Sequence, residues 1–418
     1  MSTTKGPEQA KVSIRTVLGD GDVRAVILAA FVVMTGLGLV LPILPIYARS
    51  FDVSFAAAGL FTSLWGFARL VTDLVAGPLV DRYGERVTAM AGLTVIALCS
   101  LGAGLAPSFP LAVSVWAVGG AGSAVSFAAQ YSYLLKTVNP TQMARTLGVF
   151  YGAFNLGFIV GGFAGGIIAD RFGLASPLFV YVGLLAISTG LYARYVPDPP
   201  PKEVSPELTT EEALAERDMP VLRRGKVAFG RLFRTPGFVT VLVVNFSYMW
   251  MVATIFETLV PLFGTEELDM STVGVGLVFA VAVATEFAVL YPAGSLADRF
   301  GRRTVMIPAL TALAITSATL GLAAAPVVLA CMMGLHGIAS GFAGVPPAAM
   351  LSDVVPEHMS GTGVGMFRFA GDLAFFLGPL AAGAVAEALD FKSAFPIAAL
   401  PVLVSLVMVI RTQETLRR

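Results

Sequence analysis

The sequence contains little charge, few cysteines and few histidines. Only 13% of its 418 residues are charged, roughly half the share of a soluble domain. There are two cysteines and two histidines, and the formal net charge is zero. We find no metal-spaced His/Cys cluster, no glycine loop for a nucleotide and no Ser/His/Asp set. We therefore expect no metal, no cofactor and no enzymatic site. We also expect no nucleic-acid partner, although the net charge itself does not bear on this.

Long apolar segments dominate the chain instead. Hydrophobic residues make up 56% of it, and the mean hydropathy is +0.81. Many segments reach 18 residues or more, which is enough to cross about 30 Å of hydrocarbon. Cys99 and Cys331 both lie in such segments, where packing is a better interpretation than a disulfide. The polar first 22 residues do not resemble a cleavable signal peptide. The pattern predicts an all-α polytopic membrane protein with spans at 24–48, 56–80, 87–106, 110–134, 143–169, 174–195, 236–263, 272–297, 304–324, 326–349, 360–386 and 392–411.

One long polar segment, residues 196–235, divides these spans into two sets of six. It starts with a proline-rich stretch and continues with an acidic run and then a basic run, and residues 210–217 could form a short surface helix. The predicted organisation is a tail at 1–23, a six-helix bundle at 24–195, a linker at 196–235, a second bundle at 236–411 and a tail at 412–418.

The positions of the basic residues predict the orientation in the membrane. If the N-terminus is cytoplasmic, all but five of the 27 lysines and arginines also fall on the cytoplasmic side. The exceptions are Arg49, Arg171 and Lys392 outside, and Arg69 and Arg368 within spans. This asymmetry follows the positive-inside rule. We therefore expect a cell (inner or plasma) membrane protein whose two termini and linker are cytoplasmic.

A charged decamer occurs once in each half, 217 positions apart. Residues 77–86 read GPLVDRYGER and residues 294–303 read GSLADRFGRR, and we call them the first and second decamers. Each is predicted to form a short loop after an apolar span, with glycines that permit a tight reversal. Like-ordered halves of similar sequence are typical of parallel repeats. The residues proposed to act in these gating loops are Gly77, Asp81, Arg82, Gly84 and Arg86, and Gly294, Asp298, Arg299, Gly301 and Arg302.

The repeated decamer resembles the signature loop of the major facilitator superfamily of secondary transporters, and the resemblance covers nearly the whole chain. It implies the major facilitator fold, with two pseudo-symmetric six-helix bundles around a central cavity that opens alternately to the two sides. Asp81 is expected to contact the start of span 11, near residues 360–361, when the cytoplasmic side closes, because a helix N-terminus favours an acid. The alternative is that the decamer charges only set the topology.

Charges inside the spans are costly and are therefore candidates for function. Arg69 and Asp73 are four residues apart in span 2, and so are Arg368 and Asp372 in span 11, which places each pair on one helix face. In the implied architecture these spans face each other. We expect the pairs Arg69–Asp372 and Asp73–Arg368 to form a clasp between the halves that biases which side is open. The alternative is that each pair is satisfied within its own helix.

Glu286 in span 8 occupies the repeat position of Arg69. A carboxylate at that depth is a candidate proton carrier or a partner for a cationic substrate, and the alternative is pairing with Arg69 or Asn155. Glu257, near the outer end of span 7, is expected to reach interfacial water. The candidates for the substrate cavity are Tyr131, Asn155, Asn245, Tyr248 and Glu257.

Span 5 contains a ladder of glycines that allows close helix approach. It consists of Gly148, Gly157, Gly161, Gly162, Gly165 and Gly166. The spacing resembles the glycine motif of the superfamily's drug:proton antiporters, with Gly162 where they have a proline; simple packing is the alternative. Another motif departs from that branch, because Trp116 stands where those antiporters carry an arginine in span 4.

The resulting prediction is a secondary active transporter that exports a small amphipathic or cationic compound by alternating access. Protons would be the coupling ion, and the protein would act as a monomer in the lipid bilayer. The alternatives are a uniporter or symporter for a metabolite or lipid, or a membrane-embedded enzyme or receptor on the same scaffold.

Overall fold

The computed structural model describes residues 21–138, 140–197, 230–356 and 359–415. All regular structure in these parts of the chain is helical, and twelve helices are long and apolar enough to cross a membrane. Helices are expected here because a backbone in hydrocarbon must satisfy its own hydrogen bonds. The predicted fold class is confirmed.

We number the spans 1 to 12. The helices of the first half are Gly21–Val40 and Leu44–Arg49 (span 1), Phe55–Tyr83 (span 2), Glu85–Gly104 (span 3), Phe109–Thr137 (span 4), Pro140–Phe172 (span 5) and Ser176–Tyr195 (span 6).

The second half repeats this order with more interruptions. Its helices are Phe238–Met251, Val252–Leu259 and Val260–Glu266 (span 7), Thr272–Phe300 (span 8), Arg302–Thr319 and Leu320–Leu322 (span 9), Pro326–Gly344 and Pro346–Val354 (span 10), Ser360–Ala388 (span 11), and Phe391–Ala398 and Leu400–Arg411 (span 12).

Span 7 contains a segment that sequence periodicity did not reveal. Its middle part, Val252–Leu259, is a π-helix, in which the backbone bonds reach one residue further than in an α-helix. The hydroxyl of Thr258 donates to the carbonyl of Ala253, five residues earlier, at 2.9 Å. The π-helix changes the direction of the side chains that follow it, including that of Glu257, relative to a regular helix.

The decamers are not the loops that the sequence predicted. The helix of span 2 continues to Tyr83 and that of span 8 to Phe300, so Gly77 and Gly294 lie inside helices. The backbone hydrogen bonds of a helix form whether its side chains are apolar or charged. The charged residues of the decamers therefore do not end these helices. Each reversal occurs at one glycine, Gly84 with φ of 82° and Gly301 with φ of 103°.

The two halves meet along two pairs of spans. Span 2 packs along span 11, and span 5 packs along span 8. Within the halves, span 1 packs on span 5 and span 3 on span 4, while span 8 packs on span 10. The predicted helix at 210–217, most of the linker, most of the N-terminal tail and residues 416–418 lie outside the described residues.

Candidate functional site

The interface between the halves is tightly packed at the end opposite the decamers. A Cβ built on Gly66 of span 2 would lie 2.9 Å from the backbone of Phe375 in span 11, and one on Gly59 would overlap the backbone of Pro379. In the other pair of spans, Gly166 meets the backbone of Thr272 in the same way. These glycines allow direct helix contact, and together the contacts seal one end of the molecule.

A charged contact strengthens this sealed end. Arg49 donates from Nε to Glu266 Oε1 at 3.0 Å, across the halves. The guanidinium also lies over the ring of Phe55, 4.6 Å from its centroid. The first residue of span 2 is held as well, because the backbone N–H of Phe55 donates to Glu387 Oε2 of span 11 at 2.8 Å.

Towards the decamers the same helices separate. A Cβ on Gly77 of span 2 or on Gly365 of span 11 would meet no atom within 4 Å, and the same holds for Gly148 of span 5. Leu74 of span 2, which follows Asp73 directly, is 72% exposed. The space between the halves is therefore open on the side of the decamers.

The first predicted ion pair lies where this opening ends. Arg368 of span 11 contacts Asp73 of span 2 through two nitrogens, with Nε 3.1 Å from Oδ2 and Nη2 2.9 Å from Oδ1. This bidentate geometry is the strong form of an arginine–carboxylate pair. The guanidinium also lies 5.3 Å from the ring centroid of Phe127 in span 4. Arg368 thus connects three spans.

The second predicted pair lies one helical turn further from the opening. Arg69 Nε is 3.2 Å from Asp372 Oδ1, and the side chains are 34% and 7% exposed. The Nε atom makes no hydrogen bond within the described residues, so this is an ion pair without hydrogen-bond alignment. The structure therefore brings both pairs together between the halves, as the clasp hypothesis requires, but it holds Arg69 less firmly than Arg368.

Glu286 has a different partner from either of those considered. The hydroxyl of Tyr248 in span 7 donates to Glu286 Oε1 at 2.5 Å, and Ser340 of span 10 lies beside both groups. The pairings with Arg69 and Asn155 are not formed, and the Asn155 amide instead donates to the carbonyl of Tyr151 at 2.8 Å. Glu286 and Tyr248 thus lie together in the second half.

Two predicted cavity residues are placed otherwise. Glu257 does not reach interfacial water: it is 5% exposed, and its Oε2 has no hydrogen-bond partner among the described groups. The π-helix and its packing on spans 2 and 11 account for this burial. Asn245 does not line the cavity either, because it is buried and donates from Nδ2 to the carbonyl of Phe367 at 2.7 Å. Tyr131 is half-buried and stacks on Phe127.

Comparison with known proteins identifies this arrangement of helices. The family model of the Major Facilitator Superfamily matches residues 26–290 and 265–417. The chain belongs to this superfamily. It is therefore a transporter rather than an enzyme, and the resemblance drawn from the decamers is confirmed.

Two relatives and one solved structure align with most of the length of this superfamily member. An uncharacterised MFS-type transporter of Methanocaldococcus jannaschii is 21% identical over 378 residues, which are 89% of this chain and 93% of the relative. The multi-drug resistance efflux pump PmrA homolog of Lactococcus lactis is 22% identical over 389 residues, 91% of this chain and 92% of the relative. The crystal structure of a variant of the nucleoside transporter NupG superposes with a TM-score of 0.74 at 16% identity, covering 93% and 99% of the two chains.

In both halves, decamer residues contact other residues of the same half. Glu85 is buried and pairs with Lys136 at 2.5 Å, while the repeat-related Arg302 pairs with Asp353 at 3.4 Å. The two halves thus contain the same contact with the charges exchanged. Neither pair was predicted from the sequence, although each residue of the first pair lies 217 positions before its counterpart in the second. Arg86 and Arg303 donate to the carbonyls of Ala193 and Ile410, which are also repeat-related.

The remaining decamer residues lie mainly at the surface. Asp298 pairs with Arg302, while Arg82 and Arg299 lie over the rings of their neighbours Tyr83 and Phe300. Asp81 is exposed. Its expected contact falls at 360–361, whose side chains lie outside the described residues, so that contact stays a prediction.

The glycine ladder of span 5 has two contact faces. Gly157, Gly161 and Gly165 lie against the backbone of span 1, whereas Gly162 and Gly166 lie against span 8 of the other half. Gly148 meets nothing within 4 Å. Five of the six glycines thus permit close approach, and the ladder joins span 5 to both halves.

Trp116 is a buried packing residue where the antiporter motif has arginine. It is 1% exposed and stacks on Trp65 of span 2, with 4.4 Å between ring centroids. Its indole N–H has no hydrogen-bond partner among the described residues. This position therefore contributes no charge to the site.

Proposed function

We propose that this protein exports a small amphipathic or cationic compound across the cell membrane in exchange for protons, by alternating access. The observation that carries the proposal is the pair of ion pairs, Arg69–Asp372 and Asp73–Arg368, at the boundary between the sealed and the open parts of the interface. A proton or a cation that neutralises one of these carboxylates would weaken the contact between spans 2 and 11, which belong to different halves. Binding would thereby be linked to the direction of opening.

The balance of charge around the site favours a cation. Away from the ends of the spans, in the described part of the chain, lie the two arginines of the clasp and four acids: Asp73, Asp372, Glu257 and Glu286. Carboxylates removed from water are stabilised by protons or by cationic ligands. Half-buried aromatic rings near Arg368, such as Phe127 and Tyr131, suit an amphipathic compound with a planar part.

The conformation fits the start of an export cycle. With the orientation predicted from the basic residues, the decamers face the cytoplasm, so the open side is the cytoplasmic side. An exporter loads its substrate in this state. The similarity to a multi-drug resistance efflux pump supports this direction of transport. The protein acts as a monomer in the lipid bilayer, with both termini cytoplasmic.

A uniporter or symporter for a metabolite or lipid is the second candidate. The observation that favours it is Trp116, because the arginine expected at this position from the antiporter resemblance is replaced by a buried, stacked indole. If the span 4 arginine is indispensable for coupling, this chain does not couple transport to protons in the antiporter manner.

Efflux of ethidium from cells that lack their own pumps separates the two candidates. We expect the native chain to expel the dye, a protonophore to abolish the efflux, and Asp372→Asn to remove its sensitivity to the proton gradient. Asp269→Asn is the matched control, because Asp269 is an exposed carboxylate in the turn between spans 7 and 8. Efflux that is indifferent to the protonophore would support a uniporter. No efflux of ethidium would refute the proposed substrate class.

A further inference from the structure

Arg69 is held loosely for an intramembrane charge. Its Nε lies 3.2 Å from Asp372 but makes no hydrogen bond within the described residues, and the side chain is partly exposed. Arg368, four residues from Asp372 on the same span, binds Asp73 through two nitrogens instead. A guanidinium has five N–H donors in a planar fork, and a single unaligned contact leaves most of them free to engage another acceptor.

The positive charge of Arg69 acts on a second carboxylate, that of Glu257. Glu257 belongs to the π-helical segment of span 7, which packs on spans 2 and 11. Its Oε2 is buried and has no hydrogen-bond partner among the described groups, which is costly for a carboxyl group. Arg69 is the charged group that acts electrostatically on it. The charged groups that act on Asp372 are Arg69, Asp73 and Arg368.

Among the described residues, the other polar groups near Glu257 do not offer the permanent positive charge that Arg69 carries. The neighbouring ring of Phe256 contacts His336 of span 10, whose Nδ1 lies 3.1 Å from the hydroxyl of Thr316 and whose Nε2 has no hydrogen-bond partner among the described groups. Unlike a guanidinium, an imidazole carries no permanent positive charge. Glu286, the other acid of the second half, is occupied by Tyr248. The unsatisfied oxygen of Glu257 and the unaligned guanidinium of Arg69 are thus complementary groups on contacting spans.

We propose that Glu257 is the alternate partner of Arg69: when Asp372 is neutralised, the guanidinium moves from span 11 to the carboxylate of span 7. This inference deepens the proposed function and rests on it, because it states how a proton or cation at Asp372 changes the contacts that span 2 makes with spans 7 and 11. The exchange replaces an ion pair with span 11 by one with span 7, both of which belong to the second half. Arg69 therefore has a carboxylate partner both before and after the exchange, so its guanidinium is never an isolated charge in the membrane.

A double-mutant cycle on the purified full-length protein tests the exchange without any substrate. The half-life of the folded protein in detergent at a fixed elevated temperature is measured for the native chain, Glu257→Gln, Asp372→Asn and the double variant. Glu257→Gln alone should change the half-life less than twofold, because Asp372 still pairs with Arg69. In the Asp372→Asn background the same substitution should shorten it at least tenfold, because Arg69 then has no carboxylate.

Two controls make the cycle specific. Glu267→Gln, an exposed carboxylate just after span 7, should have no effect in either background. In an Arg69→Gln background the extra loss in the double variant should disappear. If Glu257→Gln shortens the half-life by the same factor in both backgrounds, the exchange is refuted. Should Asp372→Asn not be recoverable, Asp372→Ser takes its place as the neutral background, in which a selective effect of Glu257→Gln over Glu267→Gln would have the same meaning.

The double-mutant cycle tests the exchange and the efflux assay tests the proposed function, so either one can be refuted without the other. A chain that does not expel ethidium but shows the tenfold coupling refutes the proposed substrate class and keeps the exchange. A chain that expels ethidium in a protonophore-sensitive way without the coupling keeps the proposed function and refutes the exchange.

Discussion

The bidentate pair between Asp73 and Arg368 should stabilise the conformation that is sealed opposite the decamers. At 2.8 Å and an effective dielectric constant of about 20, two unit charges attract each other by about 6 kcal/mol. Desolvation offsets most of this, and the two side chains are 15% and 30% exposed, so the cost of losing one partner falls between those of surface and buried pairs. We therefore expect Asp73→Asn to disfavour this conformation by about 2 kcal/mol, a roughly 30-fold change in its equilibrium with the opposite state.

Cysteine labelling measures this equilibrium. Both native cysteines are free, so they are first replaced by alanine. A cysteine at Leu74 reports the open side, and one at Ala382, which is buried in the sealed end, reports the other side. Asp73→Asn should slow maleimide labelling at position 74 and accelerate it at position 382. The control Asp269→Asn should change neither rate. Unchanged rates in Asp73→Asn would refute the reasoning that this pair holds the sealed conformation.

Two further predictions concern glycines whose surroundings differ. Gly166→Ala should disfavour the sealed conformation and slow labelling at position 74, because its Cβ would overlap the backbone of Thr272, whereas Gly148→Ala, which meets nothing within 4 Å, should leave labelling unchanged; equal effects would argue against the glycine contact as part of the seal. Gly84→Ala should destabilise the protein by about 1 kcal/mol in thermal unfolding, because alanine is strained at φ of 82°, whereas Gly77→Ala in the open part of a helix should not; a neutral Gly84→Ala would contradict the assigned reversal.

The sequence was sufficient to predict the twelve spans and to identify the charged residues that pair between the halves. Apolar length determines the spans, and the cost of charge in a membrane makes each intramembrane charge informative. Spacing by four residues then placed Arg69 and Asp73 on one helix face and Arg368 and Asp372 on another. Their pairing across the halves followed from the resemblance to a family whose spans 2 and 11 face each other, not from the spacing.

Other features depend on packing that no local pattern reports. The partner of Glu286 is Tyr248 on a different span, and nothing in either neighbourhood selects that hydroxyl over Asn155. The π-helix that buries Glu257 differs from an α-helix by a shift in backbone bonding, and apolar sequence is compatible with both. The decamers were predicted as loops because charge and glycine suggested an end to the helix, although only Gly84 and Gly301 require one.

The two interfaces between the halves share their geometry but differ in chemistry. Gly59 packs on span 11 as the repeat-related Gly276 packs on span 5, so both interfaces close by direct contact of backbones. Among the described residues, ion pairs join spans 2 and 11 but not spans 5 and 8: at the positions related to Arg69 and Asp372, the second interface has Glu286 and Asn155, which do not pair. Backbone contact does not respond to protons, whereas a carboxylate–guanidinium pair does. We therefore infer that a proton acts at the first interface and that the glycine-lined second interface follows it, because both connect the same two halves.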